Sequence, residues 1–424
     1  MDIDVHDPRA YALDTLLPEH VHTPATVHQL ADLIRAHKER RDTIVFFGNG
    51  SLQGIGNLPT RYNTAISLHH LHALIAHEPA DLTIAVQAGM TIADFDQRLA
   101  RQRQFVPLDA PYPQYSTIGG VLASGWLSPR RAAYGRSREF LIGVSAVLND
   151  GTVASAGGMV VKSSTGYDLG KLYVGSLGTL GAIVRANFKT LPRPQVARLF
   201  VAPLPEGSAA RVVPVLADLP IEPTLCLRIS GFENDIDVRP GLEGRIAVML
   251  EGTKSTVERA TRDLRSALGL AGVPDTSIFE GADLSRAFAQ ILTAYVAPVG
   301  NRSLTVRSLG LPTTVFQRAA LLRETAKQYH FIPEEIIDMR TGDAIVRLVA
   351  ADPPSLAQEA ANALATMRSV IREAPPTVIA GGAGIRHSLD AWGDPPNALD
   401  KMRAIKSQFD PTGIFAPGRF VGGL

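Results

Sequence analysis

The pattern of apolar and polar positions divides this chain into two stretches of different texture. From Pro24 to Pro194, short β-branched runs are separated by glycine turns and short helical patterns, which predicts an α+β domain. Thr26 followed three residues later by Gln29 has the form of a capping box. Val27, Leu30, Leu33 and Ile34 then repeat at helical spacing, so a first helix is predicted to about His37. The apolar run Thr43 to Phe47 predicts a buried strand that delivers the chain into Gly48-Asn49-Gly50-Ser51-Leu52-Gln53-Gly54. A second strand over Leu82 to Gln87 leads through Gly89 into an amphipathic helix around Ile92, Phe95 and Leu99. Pro107, Pro111 and Pro113 then force an extended path to Thr117-Ile118-Gly119-Gly120.

From about 195 to 380 one arrangement occurs twice. The first copy is a strand at Arg198 to Ala202, a helix near 206–218, strands at Leu225 to Ile229 and Arg245 to Leu250, and a helix near 254–268. The second is a strand at Ser303 to Val306, a helix near 314–328, strands at Glu335 to Met339 and Ala344 to Val349, and a helix near 356–373. With a last strand each time, this order predicts paired ferredoxin-like halves. The tail, Ala398 to Gly418, reads as one helix and a proline-glycine-rich exit that packs back onto the first domain. The expected division is therefore 1–194, 195–380 and 381–424.

A chain of 424 residues is too long for one ordinary core, and 45% hydrophobic with 20% charged residues describes a globular protein. The 42 basic and 41 acidic residues give a net charge of +1, so no overall field attracts nucleic acid or anionic lipid. One cysteine, Cys226, excludes an intrachain disulfide, a self-contained iron–sulfur cluster and a cysteine-rich zinc site. The first twenty residues carry no basic segment followed by an apolar run, and no stretch approaches the ~20 apolar residues that span a bilayer. The cytoplasm is the expected location.

Backbone amides converge on a phosphate only where no side chain blocks the approach, and glycine supplies the positive φ angles that aim them. Gly48-Asn49-Gly50-Ser51 meets that requirement, yet its spacing is not a Rossmann fingerprint and no Walker lysine follows. Taken alone, the loop reads first as a tight turn between two strands. A second cluster at Gly119-Gly120 with Ser124-Gly125, and a third from Gly175 to Gly181, change the picture: three such loops can enclose one long, phosphate-bearing cofactor. The third also reads as a helix C-cap, after a helical stretch at Asp168 to Val174, followed by a strand entry at Leu180 to Val184.

Lys162 to Leu169 with Gly175 to Gly181, Ser128 to Gly135, Arg138-Glu139-Phe140, Asn149 to Thr152, and Ile405-Lys406 with Phe409 to Gly418 resemble FAD-linked oxidases of the vanillyl-alcohol oxidase and p-cresol methylhydroxylase type. Within that type the pattern is similar to the FAD-binding subunit of bacterial glycolate oxidases. The resemblance covers residues 20–194 and 398–420. It implies a two-part flavin domain under an α+β cap. It also implies that Gly48, Asn49, Gly50, Ser51, Leu52 and Gln53 face the pyrophosphate, and that Thr117, Ile118, Gly119, Gly120, Ser124 and Gly125 line the opposite side. Gly135, Gly178, Thr179 and Ile183 are expected near the adenosine and ring regions. Neither histidine nor cysteine stands in the first loop, so the FAD is expected to be non-covalent.

Ser163-Ser164-Thr165 replaces the family's Asn-Val-Ala, and the histidine-bearing Gly-Asp-Gly-Asn segment of hydroxyacid-oxidising relatives is absent from the cap. Oxidising a 2-hydroxy acid needs a base, a cation for the carboxylate and the flavin. Arg302, Arg386 and His387 are the catalytic candidates, with a solvated glycine-rich loop as the plainer reading of 381–387. His69, His70, His72 and His77 could suggest metal ligation, but neighbouring histidines of a strand point apart and an exposed loop is expected. The resemblance predicts a flavin subunit acting on a small 2-hydroxy acid beside a second flavin subunit and an iron–sulfur subunit. The alternative is an electron-relay or structural flavoprotein without its own substrate site.

Overall fold

The computed structural model describes residues 7–159, 168–220, 222–232, 236, 241–273, 276–351 and 356–424. The Lys162 to Tyr167 part of the resemblance lies outside them. The chain forms two compact units, one of residues 1–128, 136–193 and 386–424, the other of 129–135 and 194–385.

The first unit opens with β1 (His20–His22), α1 (Val27–Arg40), β2 (Ile44–Phe47) and β3 (Thr64–Ser67). Thr26 caps α1 by accepting the Gln29 amide at 3.1 Å, and the Gln29 side chain reaches back to the Ala25 amide at 2.8 Å. The helix runs past the predicted His37 and ends at Arg41, which takes a left-handed conformation. The chain then gives β4 (Leu74–Glu78), β5 (Thr83–Gln87), α2 (Ile92–Ala100), β6 (Gln104–Phe105) and α3 (Ile118–Ser124). After α4 (Arg131–Tyr134), which belongs to the second unit, come α5 (Ser137–Phe140), β7 (Leu141–Val147), β8 (Val153–Gly157), β9 (Ala182–Lys189) and β10 (Leu191–Pro192).

β1, β3 and β2 form a parallel sheet in that order, and β4-β5-β9-β7-β8 form an antiparallel one. Leu30 and Ile34 of α1 pack with Ile44 and Ile66 of the first sheet and Val147 and Val184 of the second, all essentially sealed from solvent. Each such side chain stabilises the fold by about 1.5–3 kcal/mol. Residues 414–416 run beside β2, the Ile44 amide donating to Ile414 O and the Ala416 amide to Ile44 O, both at 2.8 Å. That return is what brings the C-terminal tail to the loop after β2.

The second unit continues with β11 (Val196–Pro203), α6 (Ala209–Ala217), β12 (Leu225–Ser230), β13 (Arg245–Gly252), α7 (Lys254–Leu270), β14 (Ser277–Phe279) and α8 (Gly281–Ala294). Its second half is β15 (Ser303–Leu309), α9 (Val315–Gln328), β16 (Phe331–Asp338), β17 (Asp343–Ala350), α10 (Leu356–Val370) and β18 (Thr377–Gly381). The predicted repeat is present, and α8, which periodicity did not single out, joins the halves. The sheet order is β14-β11-β13-β12-β16-β17-β15-β18. In each half the fourth, first, third and second strands lie side by side, and the halves meet antiparallel through their second strands, β12 and β16. Phe200, Ile246, Val248 and Leu250 pack under Val212 of α6 and Val257 and Leu264 of α7.

Alternation sends the intervening residues to the other face, which carries charge. There Arg130 pairs with Glu251 at 2.9 Å, and Arg131 and Arg307 both bind Asp343. Burial raises Asp343, but the two guanidiniums outweigh it and hold the carboxyl below its ordinary value. Asp338 stands directly opposite Asp343 in the ladder and is fully buried. Its Oδ1 accepts the Arg340 and Thr341 amides at 2.9 and 3.0 Å. Burial, with Asp343 adding to it, pushes this carboxyl up to about 6.

Because the folded value lies above the unfolded one, this contribution favours the fold at acid pH and is lost as pH rises through 6, a swing of roughly 2–3 kcal/mol. Thermal melts of the intact protein should therefore show the second unit losing stability from about pH 4 to pH 6, and Asp338→Asn, which keeps the amide acceptor, should flatten that dependence. An unchanged slope in the variant would assign it to other groups.

Candidate functional site

The loop after β2 is held from both sides. Ser67 Oγ donates to Gly48 O at 2.9 Å, and the Gln53 side chain donates to Phe46 O at 2.9 Å. Asn49 Nδ2 donates to Tyr115 O at 2.9 Å, and Ser51 Oγ meets Ser116 Oγ at 2.8 Å, which ties the loop to the approach of α3. Thr117 caps α3 through the Gly120 amide, at 3.2 Å. Gly125, left-handed, ends the helix. The third glycine segment then laces onto it, the Gly175 amide donating to Leu122 O at 2.8 Å and the Leu177 amide to Ala123 O at 2.7 Å.

Glycine is required where these segments touch. A Cβ on Gly48 would stand 2.1 Å from Thr117 Oγ1, and one on Gly125 would stand 2.9 Å from Gly175 Cα. Gly178, at φ +73°, would place its Cβ 3.3 Å from the Phe46 ring. At Gly48 and Gly125 the segments are thus fitted to one another with no room for a side chain, and together the three wall a cleft open to solvent.

The cleft is lined by Gly48, Asn49, Gly50, Ser51, Leu52 and Gln53, by Thr117, Gly119, Gly120 and Ser124, and by Gly178 and Ile183. Of the other expected positions, Ile118 is buried beneath the wall and Gly125 serves the helix end. Thr179 donates its hydroxyl to Ser176 O at 2.7 Å and lines a separate cavity with Lys406. Gly135 ends α4 in the second unit.

The catalytic candidates are not brought together. Arg302 is an exposed residue of the second unit, whereas Arg386 and His387 belong to the first. Arg386 is buried and committed to structure, donating to Gly56 O at 2.5 Å and Gln53 O at 3.4 Å. His387 is exposed, and its Nε2 meets the Thr15 hydroxyl. Of the other histidines, His69 Nδ1 pairs with Ser67 Oγ at 2.9 Å, His70 is exposed, His72 Nδ1 donates to His69 O at 2.9 Å, and His77 sits in β4, bonded to Gln104 at 3.1 Å.

Periodicity and motif spacing missed the most strongly charged member of the wall, Arg419. It follows Gly418 at the end of the tail, is 2% exposed, and lines the cleft. Its guanidinium binds the Gln53 side chain and donates to Gln53 O at 3.0 Å and Ile55 O at 2.8 Å, while its Nε has no partner within hydrogen-bonding distance among the described residues. Burial, and next the neighbouring Arg386 guanidinium, push its pKa down to about 9. That depression marks a buried cation short of negative charge.

Residues 18–157 match the family model described as an FAD binding domain. The chain carries a p-cresol methylhydroxylase-type FAD-binding domain. The chain is related in sequence to glycolate oxidase subunits, and FAD is its cofactor. Over 253 residues it is 28% identical to glycolate oxidase subunit GlcD of Bacillus subtilis, covering 57% of this chain and 53% of that one. Over 385 residues it is 26% identical to glycolate oxidase subunit GlcE of Escherichia coli, covering 90% and 93%. The chain thus matches about half the length of the first relative and nearly all of the second. The crystal structure of p-cresol methylhydroxylase with substrate bound superposes with a TM-score of 0.71 at 17% identity, covering 95% of this chain and 88% of that one, a likeness of fold. The FAD-binding domain fits its cofactor on this chain's own residues. Gly48, Gly50, Gly119, Gly120 and Gly178 present backbone to the cleft, and among the described residues the buried Arg419 guanidinium beside them keeps an unpartnered Nε.

Proposed function

We propose that this chain is the FAD-carrying subunit of a multi-subunit enzyme of the glycolate oxidase type, acting in the oxidation of a small 2-hydroxy acid. The observation that carries the reading is the cleft itself, in which three glycine segments and Arg419 form one wall. The amides from Gly48 to Leu52 hold the pyrophosphate, because glycine permits the close approach and φ +80° at Gly50 turns the backbone toward it. Arg419 supplies the charge. Gly119, Gly120 and Ser124 line the opposite side, and Gly178 and Ile183 close against the rest of the cofactor. When bound, FAD supplies the hydride acceptor. This chain's own residues bind and orient it and exclude water behind it.

Kinship to glycolate oxidase subunits supports the substrate class and the multi-subunit assembly. The single cysteine is buried and its thiol is raised by burial to about 12, so an iron–sulfur relay belongs to a partner chain, as does a second flavin. Among the described residues no helix is long and apolar enough to cross a membrane. Association with a membrane through partners, or a place free in the cytoplasm, fits the reading equally.

A second reading is favoured by the fate of the catalytic candidates: with Arg386 spent on loop carbonyls, the chain relays electrons and oxidises no substrate itself. Anaerobic mixing of the yellow protein with glycolate, D-lactate and larger hydroxy acids separates the two. Bleaching of the flavin by one of them without partner chains supports substrate oxidation by this chain. Bleaching only when partner subunits are present supports the relay. A colourless protein that takes up no added FAD would sink both.

A further inference from the structure

Away from the cleft, three histidines converge at the opening of the first unit. His20 and His22 alternate with Val21 in β1, which directs both imidazoles to one face of the strand. β1 pairs in register with β3, placing His20 opposite Thr64 and His22 opposite Ile66. From α1, His37 enters this face, 2% exposed. Its Nδ1 meets Asp42 Oδ2 at 3.0 Å and the Thr64 hydroxyl at 3.3 Å, and its Nε2 lies 3.0 Å from the Nε2 of His22. The left-handed Arg41 turns the chain so that the Asp42 amide donates to His37 O at 2.9 Å, which sets the carboxylate behind the ring.

The orientation of His37 follows from Asp42. A carboxylate on Nδ1 keeps the proton there and leaves the Nε2 lone pair pointing at His22. Two imidazole nitrogens 3.0 Å apart hold either an N–H···N hydrogen bond or, with a small widening, a metal ion between them. With metal–nitrogen bonds of about 2.1 Å, two ligands at a tetrahedral angle stand about 3.4 Å apart, so a shift of a few tenths of an ångström admits the ion. His22 is half-buried, so its ring is held beside His37 and is not free in solvent.

As placed, no three ligating groups among the described residues are close enough to hold an ion. His20 supplies the third by rotation: it is exposed, and its ring centroid already lies 6.1 Å from that of His37 and 6.4 Å from that of His22. Three imidazoles around one ion stand about 5 Å apart by centroid, which His22 and His37 meet at 5.0 Å.

We propose that His20, His22 and His37 form a site for a divalent first-row cation of the Zn2+ class, with Asp42 as the positioning residue and one coordination position left to solvent. The ion would staple β1, paired only to β3, to the end of α1. This site is independent of the FAD cleft and of the hydroxy-acid reading.

Calorimetric titration of the chelator-treated, FAD-loaded protein with Zn2+ is expected to show one equivalent bound, and saturation should raise the thermal midpoint. His20→Asn, at an exposed position that the fold tolerates, should weaken binding at least about tenfold and abolish the thermal shift. Asp42→Asn should weaken it about 10–100-fold by releasing the ring orientation. His70→Asn, in the separate histidine cluster, should leave it unchanged. Absence of stoichiometric binding, equal affinity in His20→Asn, or loss of affinity in His70→Asn would each overturn the proposal.

Discussion

Purified Gly50→Val protein is expected to be colourless, with FAD affinity reduced about 100-fold or more, equivalent to about 2.7 kcal/mol. Gly50 stands at φ +80°, where a β-branched residue is strained by roughly 1–2 kcal/mol. The volume itself is tolerated by the fold, since a Cβ there meets only the Phe47 ring, at 3.9 Å. The methyl groups extend instead along the cleft wall, where the backbone has to approach the pyrophosphate. Circular dichroism should therefore stay close to wild type while bound flavin disappears. Gly48→Val differs, because its Cβ collides with Thr117 at 2.1 Å and the defect is expected in folding as well. Gly178→Val falls between, with a left-handed backbone and Phe46 at 3.3 Å. FAD retained at wild-type affinity by both Gly50→Val and Gly178→Val would show that these loops are only turns.

Arg419→Met should lose both stability and flavin. The guanidinium donates to the Gln53 and Ile55 carbonyls inside the first unit, and removing it takes the donor from Ile55 O and leaves Gln53 O with the long Arg386 contact alone, a cost of about 2 kcal/mol. It also removes the buried positive charge at the cleft, so FAD binding should weaken beyond what the stability loss explains. Arg419→Lys restores charge without the planar fork and should recover part of the affinity but little of the stability. Denaturant unfolding with and without FAD measures both quantities. An Arg419→Met protein that binds FAD as the wild type does would remove the residue from the site and leave it a brace like Arg386.

The α+β class, the first helix with its Thr26 cap, the strand into Gly48 and the twofold order of the second unit were legible because each rests on local signals: spacing, caps and turns. The ferredoxin-like order showed as well, since a repeated element sequence survives without residue identity. β3 and β4 were not legible. β3 is a four-residue buried run without alternation, and β4 is an edge strand with Leu74 and Ile75 facing solvent. α8 lacked a capping side-chain signal, beginning after Glu280 with no side-chain hydrogen bond.

By itself, then, the sequence determined that three glycine-rich segments exist and that their small residues permit close backbone approach, because glycine's freedom is a property of the residue wherever it stands. Only the tertiary structure decided what those segments do together. The contacts of Gly48 with Thr117 and of Gly125 with Gly175 are made across long separations in the chain, and no spacing rule encodes them. It likewise decided that Arg386, a candidate for chemistry, is buried against carbonyls, and that Arg419, one residue past the motif, reaches the cleft because 414–416 run beside β2. A charged side chain's role depends on whether burial leaves it a partner, and burial is a property of the whole fold.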